Sequence, residues 1–325
     1  MPETKKTIRQ LTENETHFLD FDLRYQIEEE VYKVRKHGHK DYPVDVYFIQ
    51  YDERPLEIIP FHWHKEAEFV YVTEGCGEYR ISDDSYLIHE GEALFINSQA
   101  MHSLSVAPKS QNYRSINIIF NPDYLILPSQ TSLYAKYIYP VTQNQELRAV
   151  YISNEDLKKF SIDNSVADIL DCNLNEYPGY EIRTRGFLTR LWFSILENIP
   201  KNQPAEDNSA KSKISLDEKR TKEALLFIES HYSESITLEE IADSIHLSKS
   251  ECCRCIKRCL NMTPFEYLMR FRILKSTQIM STQKTVSIAD LASAVGFNSC
   301  SYFNKLFRKY MGCTPSQYRK KMCDF

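Results

Sequence analysis

The chain has 325 residues, 42% of them hydrophobic and 26% charged, with a mean hydropathy of -0.46. These values exclude wholesale disorder, a fibre and a membrane span, and the length suits two domains rather than one core. Charge is unevenly divided: residues 1–210 hold 21 Lys+Arg against 33 Asp+Glu, and residues 211–325 hold 19 against 12. An acidic first part thus precedes a basic last part suited to meeting a polyanion. The opening MPETKKTIRQ has no apolar stretch behind its lysines. A cytoplasmic protein with no membrane partner is therefore expected, and its nine cysteines are read as reduced thiols. Neither GxGxxG nor a GxxxxGK phosphate loop occurs, which removes the usual nucleotide-fold enzymes.

In chain order, residues 12–36 predict an acidic helix, and His37 and His39 a surface loop. From 44 to 120 come short β-rich runs about ten residues apart: VDVYFIQY, EFVYVTEG, GEYRIS, SYLIHEG, EALFINS and YRSINIIF. Such runs predict a small barrel or sandwich. Within them, PFHWHKEAEFVYVTEG supplies His62, His64 and Glu68, followed by Gly75, and NSQAMH supplies His102. Two histidines at i and i+2 on a strand point the same way, and a nearby carboxylate can join them. The spacing resembles the cupin motif HxH-x3-E-x6-G with a later histidine, although Asn97 and Gln99 stand where cupins usually place Pro and Gly. His62, His64, Glu68 and His102 are the expected effector-binding residues. No cofactor is assigned, and the same four are the ligands if a divalent metal binds.

After residue 153 the pattern turns helical. Phe187, Leu188, Leu191, Trp192, Ser194, Ile195 and Leu196 form a broad apolar stripe, fit to seal the barrel and also offered as a surface for a second subunit. PKNQPAEDNSAKSKIS reads as a flexible linker, giving expected boundaries at 1–199, 200–216 and 217–325.

The last part repeats itself. ITLEEIADSIHLSKSECCRCIKRCLNMTPFEYL aligns with VSIADLASAVGFNSCSYFNKLFRKYMGCTPSQYR. Leu238, Ile241, Ala242 and Ile245 match Ile288, Leu291, Ala292 and Val295 at a spacing of 50. Arg254, Ile256, Lys257, Thr263-Pro264 and Tyr267 match Lys305, Phe307, Arg308, Thr314-Pro315 and Tyr318 at 51. Each unit reads as helix, tight turn, helix, with N-caps at Thr237 and Ser287, and positive φ expected at His246 and Gly296. A helix from Pro264 to about Met280 joins the units. At about 1.5 Å per residue it is long enough to hold two recognition helices about one DNA turn apart.

These tandem motifs resemble the C-terminal signature of the AraC/XylS family of bacterial transcription regulators over about 217–322. The resemblance implies an α+β chain: a cupin-like β-barrel with flanking helices that senses an effector, then a seven-helix all-α domain whose two helix-turn-helix motifs bind adjacent major grooves. It implies no enzymatic activity, promoter DNA and a small-molecule effector (a sugar, for instance) as partners, and RNA polymerase if the protein activates; a homodimer is expected because paired half-sites raise affinity by effective concentration. The alternative is a metal-dependent cupin enzyme carrying a DNA-binding tail.

Core spacing assigns Cys252, Cys255, Ile256 and Cys259 to the interior of the first recognition helix. That leaves Ser250, Cys253, Arg254 and Lys257 facing DNA, and Ser301, Asn304, Lys305 and Arg308 in the second. Arg254 and Lys305 suit guanine edges, Asn304 adenine, and Lys257 and Arg308 phosphates. Glu251 is assigned to capping with Ser248.

Overall fold

A computed structural model of the chain describes residues 42–51, 59–82, 84–107, 112–144, 146–199, 208–283 and 285–323. The helix expected at 12–36 and the His37/His39 loop lie outside these residues. The chain divides into two compact units that meet in sequence near residue 206. The first is a helix-backed antiparallel sheet and the second is all helical. The class is α+β.

The sheet unit has strands β1 (Val44–Tyr51), β2 (Ile59–His62), β3 (Ala67–Ile81), β4 (Asp84–His89), β5 (Ala93–Ile96), β6 (His102–Val106), β7 (Tyr113–Phe120) and β8 (Ala149–Ile152). One strand organises the rest. The first half of β3 lies between β5 and β7, and its second half between β4 and β6. Strand β1 extends the sheet beyond β7, β8 beyond β5, and β2 beyond β6. The sequence pattern predicts two strands divided at Gly75, but β3 is a single strand of 15 residues. Gly75 takes φ 78 and the β3–β7 register shifts between Val72 and Glu74. The glycine therefore bends and bulges the strand instead of ending it.

Alternation along β3, β5 and β7 sorts side chains onto two faces. Phe69, Phe95, Ile116, Ile118 and Phe120 enter one buried cluster, and Val70, Val72, Leu94, Ile96 and Tyr113 enter another with Tyr79 and Leu104. The helices following β7 are α1 (Thr131–Tyr137), α2 (Tyr139–Thr142), α3 (Asn154–Lys159), α4 (Asp163–Leu174) and α5 (Tyr180–Asn198). The apolar stripe of α5 packs into the first cluster: Trp192 meets Phe95 and Phe120 edge-on at centroid distances of 5.7 and 6.3 Å. Phe187, Leu188, Leu191 and Ile195 are likewise buried. Of the two uses expected for that stripe, sealing the sheet is the one observed, and the sheet leaves these side chains no face to offer a second subunit.

The second unit contains, among the described residues, seven helices: α6 (Asn208–Ser230), α7 (Leu238–Ser244), α8 (Lys249–Leu260), α9 (Pro264–Thr282), α10 (Ile288–Ala294), α11 (Cys300–Met311) and α12 (Pro315–Cys323). Helix α6 begins inside the stretch expected to be a linker. After Pro204 that stretch has no further proline, and its two Ala and two Lys favour helix. Capping boxes start α7 at Thr237–Glu240 and α9 at Thr263–Glu266, and Ser248, Ser287 and Ser299 cap α8, α10 and α11. The two turns carry His246 at φ 55 and Gly296 at φ 84, the residues expected there. Helix α9 touches α6, α7, α8, α10 and α11, so it is the axis on which both motifs are mounted.

Candidate functional sites

The histidines and the glutamate converge inside the sheet unit. His62 ends β2 and pairs in register with His102 at the start of β6, and their ring centroids lie 4.1 Å apart. His64 follows β2, with its carbonyl accepting from Gln99 N at 2.7 Å. Gln99 holds φ 62 and so supplies the left-handed turn where cupins usually use glycine. Asn97, at the usual proline position, donates to the carbonyls of Val141 and Leu147, both at 2.7 Å. One ligand atom from each of His62, His64, Glu68 and His102 lies within 4.8 Å of all the others; His62 is half-buried and the remaining three are buried.

Hydrogen bonding fixes the histidine tautomers. His64 Nδ1 lies 3.0 Å from the Glu66 carbonyl, and His102 Nδ1 lies 2.8 Å from the Ala100 carbonyl. A carbonyl only accepts, so each Nδ1 carries hydrogen and donates. The Nε2 atoms then face Glu68 Oε2 at 3.2 and 3.1 Å. Two imidazole lone pairs and a carboxylate meeting in this way need a cation between them, either added protons or a metal ion. The nitrogen–oxygen donor set and its carbonyl-anchored histidines fit a divalent transition metal.

A polar line continues behind Glu68. Its Oε1 accepts from Asn117 Nδ2 at 2.6 Å, and Asn117 Oδ1 accepts from Ser115 Oγ at 2.6 Å. Tyr113 lies two residues further along β7, and its hydroxyl is hydrogen-bonded to that of Tyr79. Burial pushes both phenols above the usual tyrosine range, so they stay neutral. Sequence reading missed Ser115 and Asn117. Their i, i+2 alternation in YRSINIIF was the available signal, since polar residues there share the face of Tyr113.

On α8 the expected DNA-facing side chains Ser250, Arg254 and Lys257 are exposed and Cys253 is half-buried; on α11 Ser301, Lys305 and Arg308 are exposed and Asn304 is half-buried. Cys252, Cys255 and Cys259 are buried, and burial pushes the thiols of Cys252 and Cys259 up to about 12 and about 11. They act as apolar filling, not as thiolates. Glu251 completes half of the expected capping with Ser248. Ser248 Oγ accepts the Glu251 N–H at 3.3 Å, but the carboxylate turns to Arg254 at 2.5 Å and Arg258 at 3.3 Å. Guanidinium groups three and seven residues along the same face attract it more strongly than a neutral N–H. Tyr302 was also missed: it is 48% exposed in the first turn of α11, beside the expected contacts.

Comparison with known proteins matches residues 45–150 to an AraC-like ligand binding domain and residues 241–321 to a helix-turn-helix domain. The uncharacterized HTH-type transcriptional regulator YdeC of Bacillus subtilis is 31% identical over 297 residues, covering 91% of this chain and 98% of that protein. The HTH-type transcriptional activator RhaR of Mannheimia succiniciproducens is 24% identical over 283 residues, 85% of this chain and 95% of the relative. The melibiose operon regulatory protein of Escherichia coli K12 is 25% identical over 264 residues, covering 80% and 83%. No helix among the described residues is long and apolar enough to cross a membrane.

Proposed function

The chain belongs to the AraC family of helix-turn-helix transcriptional regulators, and from that premise we propose that an effector held among His62, His64, Glu68 and His102 governs how α8 and α11 read promoter DNA. The observation carrying this is the convergence of four chemically active side chains in the ligand-binding unit, three of them buried. Burying such groups is unfavourable unless they are paired or bind something. A divalent ion bound there offers a Lewis-acid contact to an oxygen-bearing effector. His64 and His102 present Nε2, Glu68 is oriented by Asn117, and half-buried His62 stands nearest solvent. The name of the melibiose operon relative supports a sugar as effector.

The site is sensory rather than catalytic in this reading, because relatives matched along most of their length are named transcriptional regulators or activators. Cytoplasmic location, a homodimer on paired half-sites, and contact with RNA polymerase if the chain activates belong to the same reading. Effector binding shifts the DNA-competent population only by its differential affinity for the two states. Arg254, Lys305 and Asn304 read bases in this scheme. Ser250, Cys253 and Ser301 border them, and Lys257 and Arg308 hold phosphates.

The test is selection of bound fragments from a random DNA pool with the full chain, beside metal analysis and a sugar panel. The expected product is two short blocks about one helical turn apart. A His62→Ala/His102→Ala protein keeps that site but no longer changes its occupancy with effector. An unenriched pool overturns the DNA reading, and an unchanged effector response in the double variant overturns the pocket.

A further inference from the structure

The first recognition helix carries an ion-pair chain with no counterpart in the second among the described residues. Arg254 Nη2 donates to Glu251 Oε2 at 2.5 Å, while Glu251 Oε1 accepts from Arg258 Nη2 at 3.3 Å. Arg258 in turn reaches Asp217 of α6 through Nε at 2.9 Å and Nη2 at 2.8 Å. The two ends differ most in exposure: the side chain is 65% exposed at Arg254, 31% at Glu251, 42% at Arg258 and 7% at Asp217. One end is anchored in the helical core and the other points outward from the DNA-facing side. At the equivalent positions of α11, 51 residues on, stand Tyr302, Lys305 and Lys309. Lys305 forms no ion pair among the described residues.

We propose that Glu251 is a specificity-determining positioning residue, holding the Arg254 guanidinium in one orientation for a base edge and making the first motif the stringent reader of the pair. This rests on the reading of α8 as a DNA-contacting helix. Two physical consequences of the pairing support it. A guanidinium already neutralised by a carboxylate has lost much of its attraction for phosphate, whereas its remaining directed N–H groups still match the two acceptors of a guanine edge. The carboxylate also repels phosphate, so a misregistered helix that brings Arg254 to the backbone is disfavoured. Lys305 has neither constraint. Its ammonium is a mobile point charge that serves phosphates and bases alike. The Ser248 cap uses the Glu251 backbone N–H, not its carboxylate, so the side chain can be changed without removing the cap.

The experiment is random-pool selection with the full chain at one salt concentration, comparing wild type, Glu251→Gln, Arg254→Ala and Lys305→Ala, with thermal melting to verify folding. Arg254→Ala erases the preference at one base pair. Glu251→Gln loosens that same base pair by about two- to fivefold, the scale of an exposed pair, leaves the other positions sharp, and raises binding to unrelated DNA. Lys305→Ala relaxes a second base pair only partly and also weakens binding to every sequence, as a contact shared between base and phosphate does. Preference at the Arg254-dependent base pair as sharp in Glu251→Gln as in wild type, or blurred equally at every position, overturns the proposal. If Arg254→Ala itself weakens every sequence evenly, then Arg254 is a backbone contact, and it is the underlying base-reading assignment that fails.

Discussion

The two helix-turn-helix motifs share a backbone plan but have different interiors. Helix α8 packs against the long α6, and small thiols fill the contact: Cys255 Sγ lies 3.6 Å from Thr221 Oγ1 and 3.3 Å from the Asp217 carbonyl. Helix α11 has different neighbours. It touches α9, α10 and α12, and its core is built from Phe297, Phe303 and Phe307, with Tyr318 edge-on to Phe307 at 5.6 Å. The difference teaches that a repeated motif keeps its caps and turn while its core volume follows whatever packs beside it. Beside α6, cysteines fill the contact; between α9, α10 and α12, aromatic rings do.

The sharpest way to break this comparison is a pair of core truncations. Phe303 is fully buried between Phe297 and Phe307, so Phe303→Ala is expected to cost about 3–5 kcal/mol. Cys252→Ala, which removes a single sulfur, should cost about 1 kcal/mol. Urea unfolding of the full chain measures both. Equal losses mean that the two interiors are not differently packed.

The turns give the next contrast. A Cβ on Gly296 sits 2.8 Å from both the Tyr232 carbonyl and Arg272 Nη2, at φ +84. Arg272 is locked there by donating to the carbonyls of Tyr232 and Glu234 at 2.6 and 2.7 Å. Gly296→Ala is expected to destabilise by about 1–3 kcal/mol. His246 occupies the equivalent turn with its side chain in solvent. His246→Gly should therefore change stability by less than about 1 kcal/mol, since relieved strain offsets the added chain freedom. A comparable loss in both variants erases the distinction.

A smaller effect separates the two following tyrosines. Tyr267 donates to Glu229, whereas its repeat partner Tyr318 packs on Phe307. Burial raises the Glu229 carboxyl to about 7 and lowers the Lys275 ammonium to about 8. Between pH 4.5 and 7 the folded state holds a proton on Glu229 that the unfolded state releases, so stability falls as pH rises through this window. Between about 8 and 10.5 the unfolded chain binds more protons at Lys275, and stability rises. Glu229→Gln should flatten the lower limb and, by removing the carboxylate that raises Lys275, carry the upper limb to lower pH, read from melting temperature against pH. A lower limb that persists in Glu229→Gln assigns the proton to another group.

Much of this was legible along the chain. The repeat, the N-caps at Thr237 and Ser287 and the positive-φ turn positions were readable because caps and turns are settled by residues two to four apart. The His62, His64, Glu68, His102 set was readable as a pattern of donor types, and the buried cysteines followed from aligning them with Phe303, Leu306 and Phe307. Strands β6 and β8 escaped because so few residues carry little alternation to set them apart from loops, and β3 was divided because Gly75 looks the same in a turn as in a bulge.

By itself, then, the sequence determined the α+β plan, the tandem motif and the residue types at both sites, since local capping, periodicity and charge act over short separations. Only the tertiary structure decided that the α5 stripe seals the sheet, that Asn117 orients Glu68 and that the Glu251 carboxylate pairs with Arg254 and Arg258. Each of those outcomes depends on strand register, on which helix lies alongside, or on competition between partners. A buried polar or charged group takes the best partner that folding brings within about 3 Å. In the cases of Asn117 and Asp217 that partner lies 49 and 41 residues away along the chain.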